Sequence, residues 1–533
     1  MWLVILFTFV LAYLVYYCCF KPYNYWKYRG ITYEIPLPVV GNFGDTVFKR
    51  RHASEVYDYL YKKYANERYV GIYIFMKPAL LVRDLDLIKK ISLEEFDHFT
   101  DRVKIFDKKF DSVIGNTLTS LKGKEWKETR TSLNHIFAVT QIESVFESIS
   151  DCAEIFSNYF VREDEDLLEI QLNDVFSRFE CDVISRICFG IVSNSLEDRD
   201  NDYFKAYQRM KSFGALERLK LSMIQLCPIL AKILQMKVFA TSKTDFYKKM
   251  VVQALRNGKV DDSKNDNNFL NYILDANVKH EKRKLKKQRS VAFVDDETES
   301  GNIEENPKKE WTEDELTAQV VMFLNSHTGI EAFLSNSSFL AYELALNPSI
   351  QVKLQEEIDN VQSIENPVTY EAICRMKYLD CVILESLRKW PPVYQTDREC
   401  VKNFFEVDLS IPDDEKIVIE KDTAVIIPIM AIHRDANYFP QPEKFNPERF
   451  SEENRGDILS GSYMPFGRGP RKCIGKKLAV LETKLLFFHL LSKFDLVPTE
   501  NTKIRVETGP NQFDVNGATN TFLGLKPRKV TSL

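Results

Sequence analysis

A mainly α-helical protein with a small β region, carried behind an N-terminal transmembrane anchor helix, is the fold class the sequence predicts. Three stretches point to it: a charge-free apolar run over residues 1–20, short strand-like segments over residues 69–83, and a nearly continuous helical pattern from about residue 84 to residue 395. With 533 residues, 44% of them hydrophobic, the chain can bury a large core. Its net charge of −5 argues neither for nor against a polyanionic partner, and no nucleic acid is expected. Ten cysteines are scattered without a Cys-x-x-Cys pair, which suits reduced thiols facing the cytosol better than a disulfide scaffold.

As a helix, residues 1–20 reach roughly 30 Å, one hydrocarbon thickness. A signal peptide is the alternative, but no basic segment precedes the run and no small-x-small cleavage site follows it. Lys21, Lys27 and Arg29 come next, with Tyr23, Tyr25 and Trp26 among them, so the positive-inside rule keeps the rest of the chain in the cytosol. Residues 21–42, which include Ile35-Pro36-Leu37-Pro38, read as a stiff basic hinge. Val70, Ile72, Ile74 and Leu81-Val82 read as strands around a turn at Lys77-Pro78. Trp126 and Arg130 stand at i, i+4 on one helix face, where both can donate to one carboxylate, although most such pairs are simple packing.

Residues 204–256 alternate basic-amphipathic and apolar stretches, which fit either a lid dipping into the bilayer or ordinary surface helices. Residues 280–310 hold a basic run and an acidic run with few apolar residues, the composition of a solvated, disordered insertion. Thr312-Glu313-Asp314-Glu315 is a capping box, and helical residues continue to Asn347 before Pro348 opens the next helix. About 35 residues make a helix near 50 Å long. Its middle, Val320 to Leu324, is apolar all round, as a central buried helix requires.

The most informative stretch runs from Phe466 to Gly475. It delivers Cys473 to the first turn of a helix whose Leu478, Leu481, Leu485 and Phe488 form one apolar face. A helix N-terminus favours the thiolate over the thiol. Gly467, Gly469 and Gly475 let the backbone turn sharply and approach a flat ligand closely. A buried structural cysteine is the bland alternative. In residue and spacing, Phe466, Gly469, Arg471, Cys473 and Gly475 match Phe-x-x-Gly-x-Arg-x-Cys-x-Gly, so the chain resembles the cytochrome P-450 family of haem-thiolate enzymes. Local wording such as Tyr-Glu-Leu-Ala-Leu-Asn-Pro resembles most the family's insect microsomal clan, which oxidises xenobiotics and lipids.

That resemblance implies the cytochrome P-450 fold, with one catalytic domain over residues 43–533. It implies haem b (iron protoporphyrin IX) on the Cys473 thiolate, against a loop containing Phe466, Gly467 and Gly475. It implies propionate contacts from Trp126, Arg130, Arg398 and Arg471, and from Arg102 by weaker spacing. Glu385, Arg388 and Arg449 are implied to form a buried structural cluster. Over the oxygen side, where the family shows Ala-Gly-x-Asp/Glu-Thr, this chain has Thr328-Gly329-Ile330-Glu331-Ala332. Gly329 and Glu331 keep the pattern, while Ala332 lacks the hydroxyl; either Thr328 or an ordered water replaces it, or the enzyme tolerates leakier oxygen activation. The implied reaction inserts one atom of O2 into a lipophilic small molecule. Its electrons come from NADPH through a separate NADPH-cytochrome P-450 reductase, with cytochrome b5 as a further donor. The implied location is the endoplasmic reticulum membrane, cytosolic face. Ala332 keeps an oxygen-independent isomerase or dehydratase open, and a non-catalytic haem-binding sensor is the other rival.

Overall fold

The structure is a computed structural model that describes residues 2–103, 108–109, 111–134, 136–163, 165–211, 214–226, 231, 233–234, 236–237, 241–257, 269, 311–324, 330–402, 405–407, 417–503 and 521–528. The expected insertion at 280–310 lies outside these residues, as do Thr328 and Gly329.

Helix α1, Trp2–Cys19, carries no charged side chain and leaves Trp2, Leu6, Phe7, Phe9 and Tyr13 exposed. Its 18 residues rise about 27 Å. Among the described residues, no helix is long and apolar enough to cross a membrane. Residues 21–42, expected to be a hinge, are docked. Trp26 is buried and its indole N–H donates to the Ile72 carbonyl at 3.0 Å. Gly71 makes room for that ring, since a Cβ there would lie 2.5 Å from the indole. Asn42 brackets Tyr73, donating its N–H to the Tyr73 carbonyl and accepting the Tyr73 N–H at 2.6 Å.

Strands β1 (Tyr69–Ile74) and β2 (Lys77–Val82) form the expected hairpin, but the turn is at Phe75-Met76 and Lys77-Pro78 already belong to β2. Phe75 takes the positive φ that the tight reversal needs. Among the described residues, strands β3 (Leu168–Gln171), β4 (Thr396–Glu399), β5 (Phe405–Val407), β6 (Ile417–Ile419), β7 (Ala424–Ile427), β8 (Phe494–Val497) and β9 (Phe522–Pro527) complete three small sheets, ordered β1-β2-β7-β4, β3-β9-β8 and β5-β6. In the first, β7 runs parallel to β2 and antiparallel to β4, a mixed sheet buried on both faces.

The longer helices are α2 (Ala53–Lys63), α3 (Gly123–Asn134), α4 (Phe146–Val161), α5 (Leu172–Phe189), α6 (Asp202–Lys211), α7 (Ala215–Leu226), α8 (Thr241–Asn257), α9 (Glu313–Leu324), α10 (Ile330–Leu346), α11 (Pro348–Ile364), α12 (Lys377–Lys389) and α13 (Lys476–Leu491). The capping box forms as read: the Glu315 N–H donates to Thr312 Oγ1 at 3.2 Å and the Thr312 N–H donates back to the Glu315 carboxylate at 3.0 Å. The stretch expected to form one long central helix holds α9 and α10, and residues 325–329 between them lie outside the described residues. One main core joins α4, α5, α10, α12 and α13. Helix α13 is buried on every side, so it is a central helix and not the one-faced helix its leucines suggested. Of the 204–256 stretch, Phe204, Ala206, Tyr207 and Met210 on α6 pack into this core, while Leu216 and Leu219 on α7 face solvent.

Candidate active site

The loop before α13 is shaped by short backbone bonds. The Gly467 N–H donates to Met464 O, Lys472 N–H to Gly469 O, and Cys473 N–H to Phe466 O, each at 2.9 Å. Gly467 and Gly469 sit at φ of 75° and 77°, where side chains are strained. At Gly469 a Cβ would also lie 2.0 Å from the Ser92 carbonyl oxygen, so no larger residue fits. Gly475 is different from what was expected: its φ is ordinary, and a Cβ would meet only Phe137, at 3.7 Å.

Cys473 does not lie in the first turn of the helix. Gly475 is the N-cap of α13, so the cysteine stands just ahead of it. Burial is the largest influence on the Cys473 thiol and raises its pKa; the Gly475 N–H, Arg130, Arg102 and Lys476 pull it down without outweighing burial. The side chain nevertheless retains solvent-accessible surface. The sulfur is thus accessible while cationic side chains stand near it, as a ligand site requires.

Around it the structure gathers most of the predicted cations. Arg471 donates to the Thr100 carbonyl at 2.7 Å and the Leu121 carbonyl at 3.0 Å, and its guanidinium lies 3.9 Å from the centre of the buried Trp126 ring. Arg398, on β4, is fully buried; it donates to the Asp397 carbonyl at 2.7 Å and the Arg468 carbonyl at 2.9 Å, and its Nε has no protein partner. Burial lowers the pKa of both arginines to about 9, helped by the like charge of Arg102. Arg102 reaches Asp397 only at 3.8 Å, and Arg471 reaches Asp101 only at 3.5 Å. Buried guanidinium groups so loosely matched by carboxylates suit an incoming dianion, and an orphaned Arg398 N–H gives it a donor. The propionates of haem b fit that description. Arg130 lies half-buried on α3, close enough to act on Cys473 electrostatically.

On the central helix, Glu331 is buried at the start of α10 and accepts a short hydrogen bond from the Tyr207 hydroxyl of α6. Nothing in the sequence signals this pair, because the two residues are 124 apart. Ala332 follows, half-buried.

The Glu385 cluster forms largely as expected. Arg388 grips Glu385 through Nε (2.7 Å) and Nη2 (3.0 Å) and also donates to the His433 and Pro442 carbonyls. The Asn446 N–H donates to Glu385 Oε1 at 2.9 Å, which ties the segment after it to α12. Arg449 is the loosest member: its Nε is 3.5 Å from Glu385 without hydrogen-bond geometry, and its firmer bond goes to the Gln441 carbonyl. His433, also in this knot, has no distinguishing spacing in the sequence. A second unforeseen feature is a pair of buried acids, Glu180 on α5 and Glu482 on α13. Burial raises both carboxyls, and their mutual repulsion raises Glu180 further.

Comparison with known proteins accords with this geometry. The cytochrome P450 family model matches residues 32–516. Similar curated proteins include cytochrome P450 9e2 of Blattella germanica, 32% identical with 95% of this chain and 94% of that protein covered. Cytochrome P450 9c1 of Drosophila melanogaster is 34% identical with 90% of each covered, and cytochrome P450 6k1 of Blattella germanica is 31% identical with 95% and 93% covered. All three are insect proteins, as the local wording around the motifs suggested. With a cysteine loop, a cationic cradle and a buried glutamate–arginine knot in place, and with a match over nearly the whole length, the chain belongs to the cytochrome P450 family of haem-dependent monooxygenases.

Proposed function

We propose that this protein inserts one atom of O2 into a lipophilic small molecule, using NADPH electrons from a separate reductase. The observation that carries the reading is Cys473, deep and accessible, on a loop whose glycines allow no substitute at position 469, beside two buried arginines. Cys473 would hold the haem iron, and a thiolate-bound haem supplies O–O cleavage when present. Arg398 and Arg471 would bind the propionates, with Trp126, Arg130 and Arg102 at the rim, and Phe466, Gly467 and Gly475 would line the near face.

On the far face, Glu331 holds a proton-accepting carboxylate against the Tyr207 hydroxyl, a place from which a proton can pass inward. Ala332 brings no hydroxyl, so an ordered water or another donor would supply that bond. Arg468, Lys472, Lys476 and Lys477 around the cysteine loop, with the exposed Lys124 and Lys127, form a basic face suited to an acidic electron donor such as the reductase or cytochrome b5. Helix α1 followed by Lys21, Lys27 and Arg29 suits an anchor in the endoplasmic reticulum membrane with the catalytic body in the cytosol.

The test is a substrate screen with the full chain, reductase and NADPH under isotopically labelled O2. One labelled atom per product is the expected result. Turnover of a peroxide substrate without NADPH would instead establish the oxygen-independent isomerase or dehydratase that Ala332 keeps in view, and binding without turnover of any kind would favour a sensor.

A further inference from the structure

The five-residue helix Ile429–His433 ends in a histidine with no exposed surface. Its ring makes two hydrogen bonds of opposite sense. Nδ1 stands 3.2 Å from the Arg388 carbonyl oxygen, and the Met464 N–H donates to Nε2 at 2.9 Å. A carbonyl only accepts and an N–H only donates, so the imidazole is neutral with its proton on Nδ1. Burial, with the charges of Arg388 and Arg434, lowers its pKa to about 3, in keeping with that state. The arrangement is reciprocal, because Arg388 Nη1 donates to the His433 carbonyl at 2.9 Å.

Both ends of this bridge lead somewhere. At one end Arg388 is locked to Glu385. At the other, Tyr463 stacks on the imidazole with centroids 5.4 Å apart and donates its hydroxyl to the Leu384 carbonyl at 3.0 Å. Met464 then accepts the Gly467 N–H, and Phe466 accepts the Cys473 N–H. An unbroken run of hydrogen bonds and short backbone steps therefore joins the end of α12 to the cysteine.

We propose that His433 is a positioning residue for Cys473: its neutral ring clamps Met464 to the Glu385–Arg388 knot and thereby sets where the sulfur stands. A core-filling histidine would need only its shape. This clamp needs an acceptor at Nε2. The inference rests on Cys473 as the iron ligand, and the experiment separates the two ideas.

Three full-length haem-loaded variants are compared with the parent: His433→Phe, which keeps a ring against Tyr463 but loses both bonds; His433→Gln, whose amide oxygen can take the Nε2 position; and His433→Asn, which keeps a donor toward Arg388 without the acceptor. The readouts are the reduced, carbon-monoxide-bound absorption spectrum, which distinguishes thiolate from altered ligation, and hydrogen exchange of peptides covering residues 462–470. For Phe and Asn the ratio of altered to thiolate ligation should rise roughly tenfold, equivalent to about 1.4 kcal/mol, with faster exchange at Met464. Gln should restore most of both. If Phe does not fold, Asn carries the same comparison. Parent-like spectra and exchange in Asn, or no recovery in Gln relative to Asn, would overturn the clamp. Absence of the thiolate spectrum from the parent itself would overturn the Cys473 assignment instead.

Discussion

The two sides of the candidate haem site are built in different ways. On the cysteine side, most determinants lie within one ten-residue loop, shaped by two left-handed glycines and by backbone bonds among neighbours, with His433 and Ser92 bearing on it from outside. On the central-helix side, the buried Glu331 is held by Tyr207, a residue from a distant helix, and the position beside it carries an alanine. Local geometry tolerates little change at Gly467 and Gly469, where the backbone holds a positive φ and, at Gly469, an added Cβ would strike the Ser92 carbonyl. A side-chain pair across two helices can be exchanged, since either partner can be rebuilt or replaced by water. The cysteine side should therefore be brittle and the central-helix side adjustable.

The largest break expected is on the brittle side. Cys473→Ser removes the soft thiolate donor while leaving an almost isosteric side chain. Thiolate ligation should vanish from the reduced, carbon-monoxide-bound spectrum and NADPH-dependent turnover should fall below detection, with the secondary structure by circular dichroism unchanged. Retained thiolate character would end the assignment.

Next comes the support behind the loop. Glu385→Gln strands Arg388, whose side chain is fully buried, opposite a neutral amide and weakens the bond to the Asn446 N–H. Breaking a buried pair in this way costs about 3–5 kcal/mol. Thermal and denaturant unfolding of the haem-loaded protein should show a loss of that order. Arg449→Gln should cost far less, because Arg449 sits at the edge of the cluster and lacks a true hydrogen bond to Glu385. Equal losses from the two would mean that the distances misrank the members.

On the adjustable side the effects are smaller and appear in efficiency. Ala332→Thr restores the hydroxyl that the family usually carries and should raise product formed per NADPH consumed. Tyr207→Phe removes one hydrogen bond from the Glu331 carboxylate and should alter the same ratio while leaving folding intact. Unchanged coupling in both variants would show that neither group takes part in proton delivery.

How far the sequence reveals this arrangement follows the same division. The strands at 69–82, the capping box at Thr312 and the cysteine loop rest on neighbours in sequence, so spacing alone exposes them. The turn misplaced at Lys77-Pro78 has an equally local cause: proline is tolerated in a strand at this position, where the hairpin ends, and Phe75 supplies the positive φ instead. By contrast, Trp26 under β1, Tyr207 on Glu331 and His433 on Met464 depend on segments brought together only by the fold. No periodicity encodes them. The Glu482 position shows the limit most sharply, since a charged residue in an apolar-periodic helix reads as its solvent face, and here the whole helix is buried.

That glutamate gives the smallest and most specific prediction. Glu180 and Glu482 are both buried between α5 and α13, and one oxygen of each lacks a protein partner. Burial raises both carboxyls above the ordinary glutamate value of 4.5. Between that value and the raised folded one, the folded protein holds protons that the unfolded chain has released. Stability therefore falls as pH climbs through this window. Glu482→Gln keeps the shape and the neutral state of a protonated acid, so it should leave stability near the lower end unchanged and remove part of the decline toward the upper end. Denaturant unfolding at about pH 5 and about pH 8 measures it. A variant that loses as much stability at the lower pH as at the higher would show that the carboxyl is charged and paired in the fold, and that this junction belongs with the brittle side of the molecule.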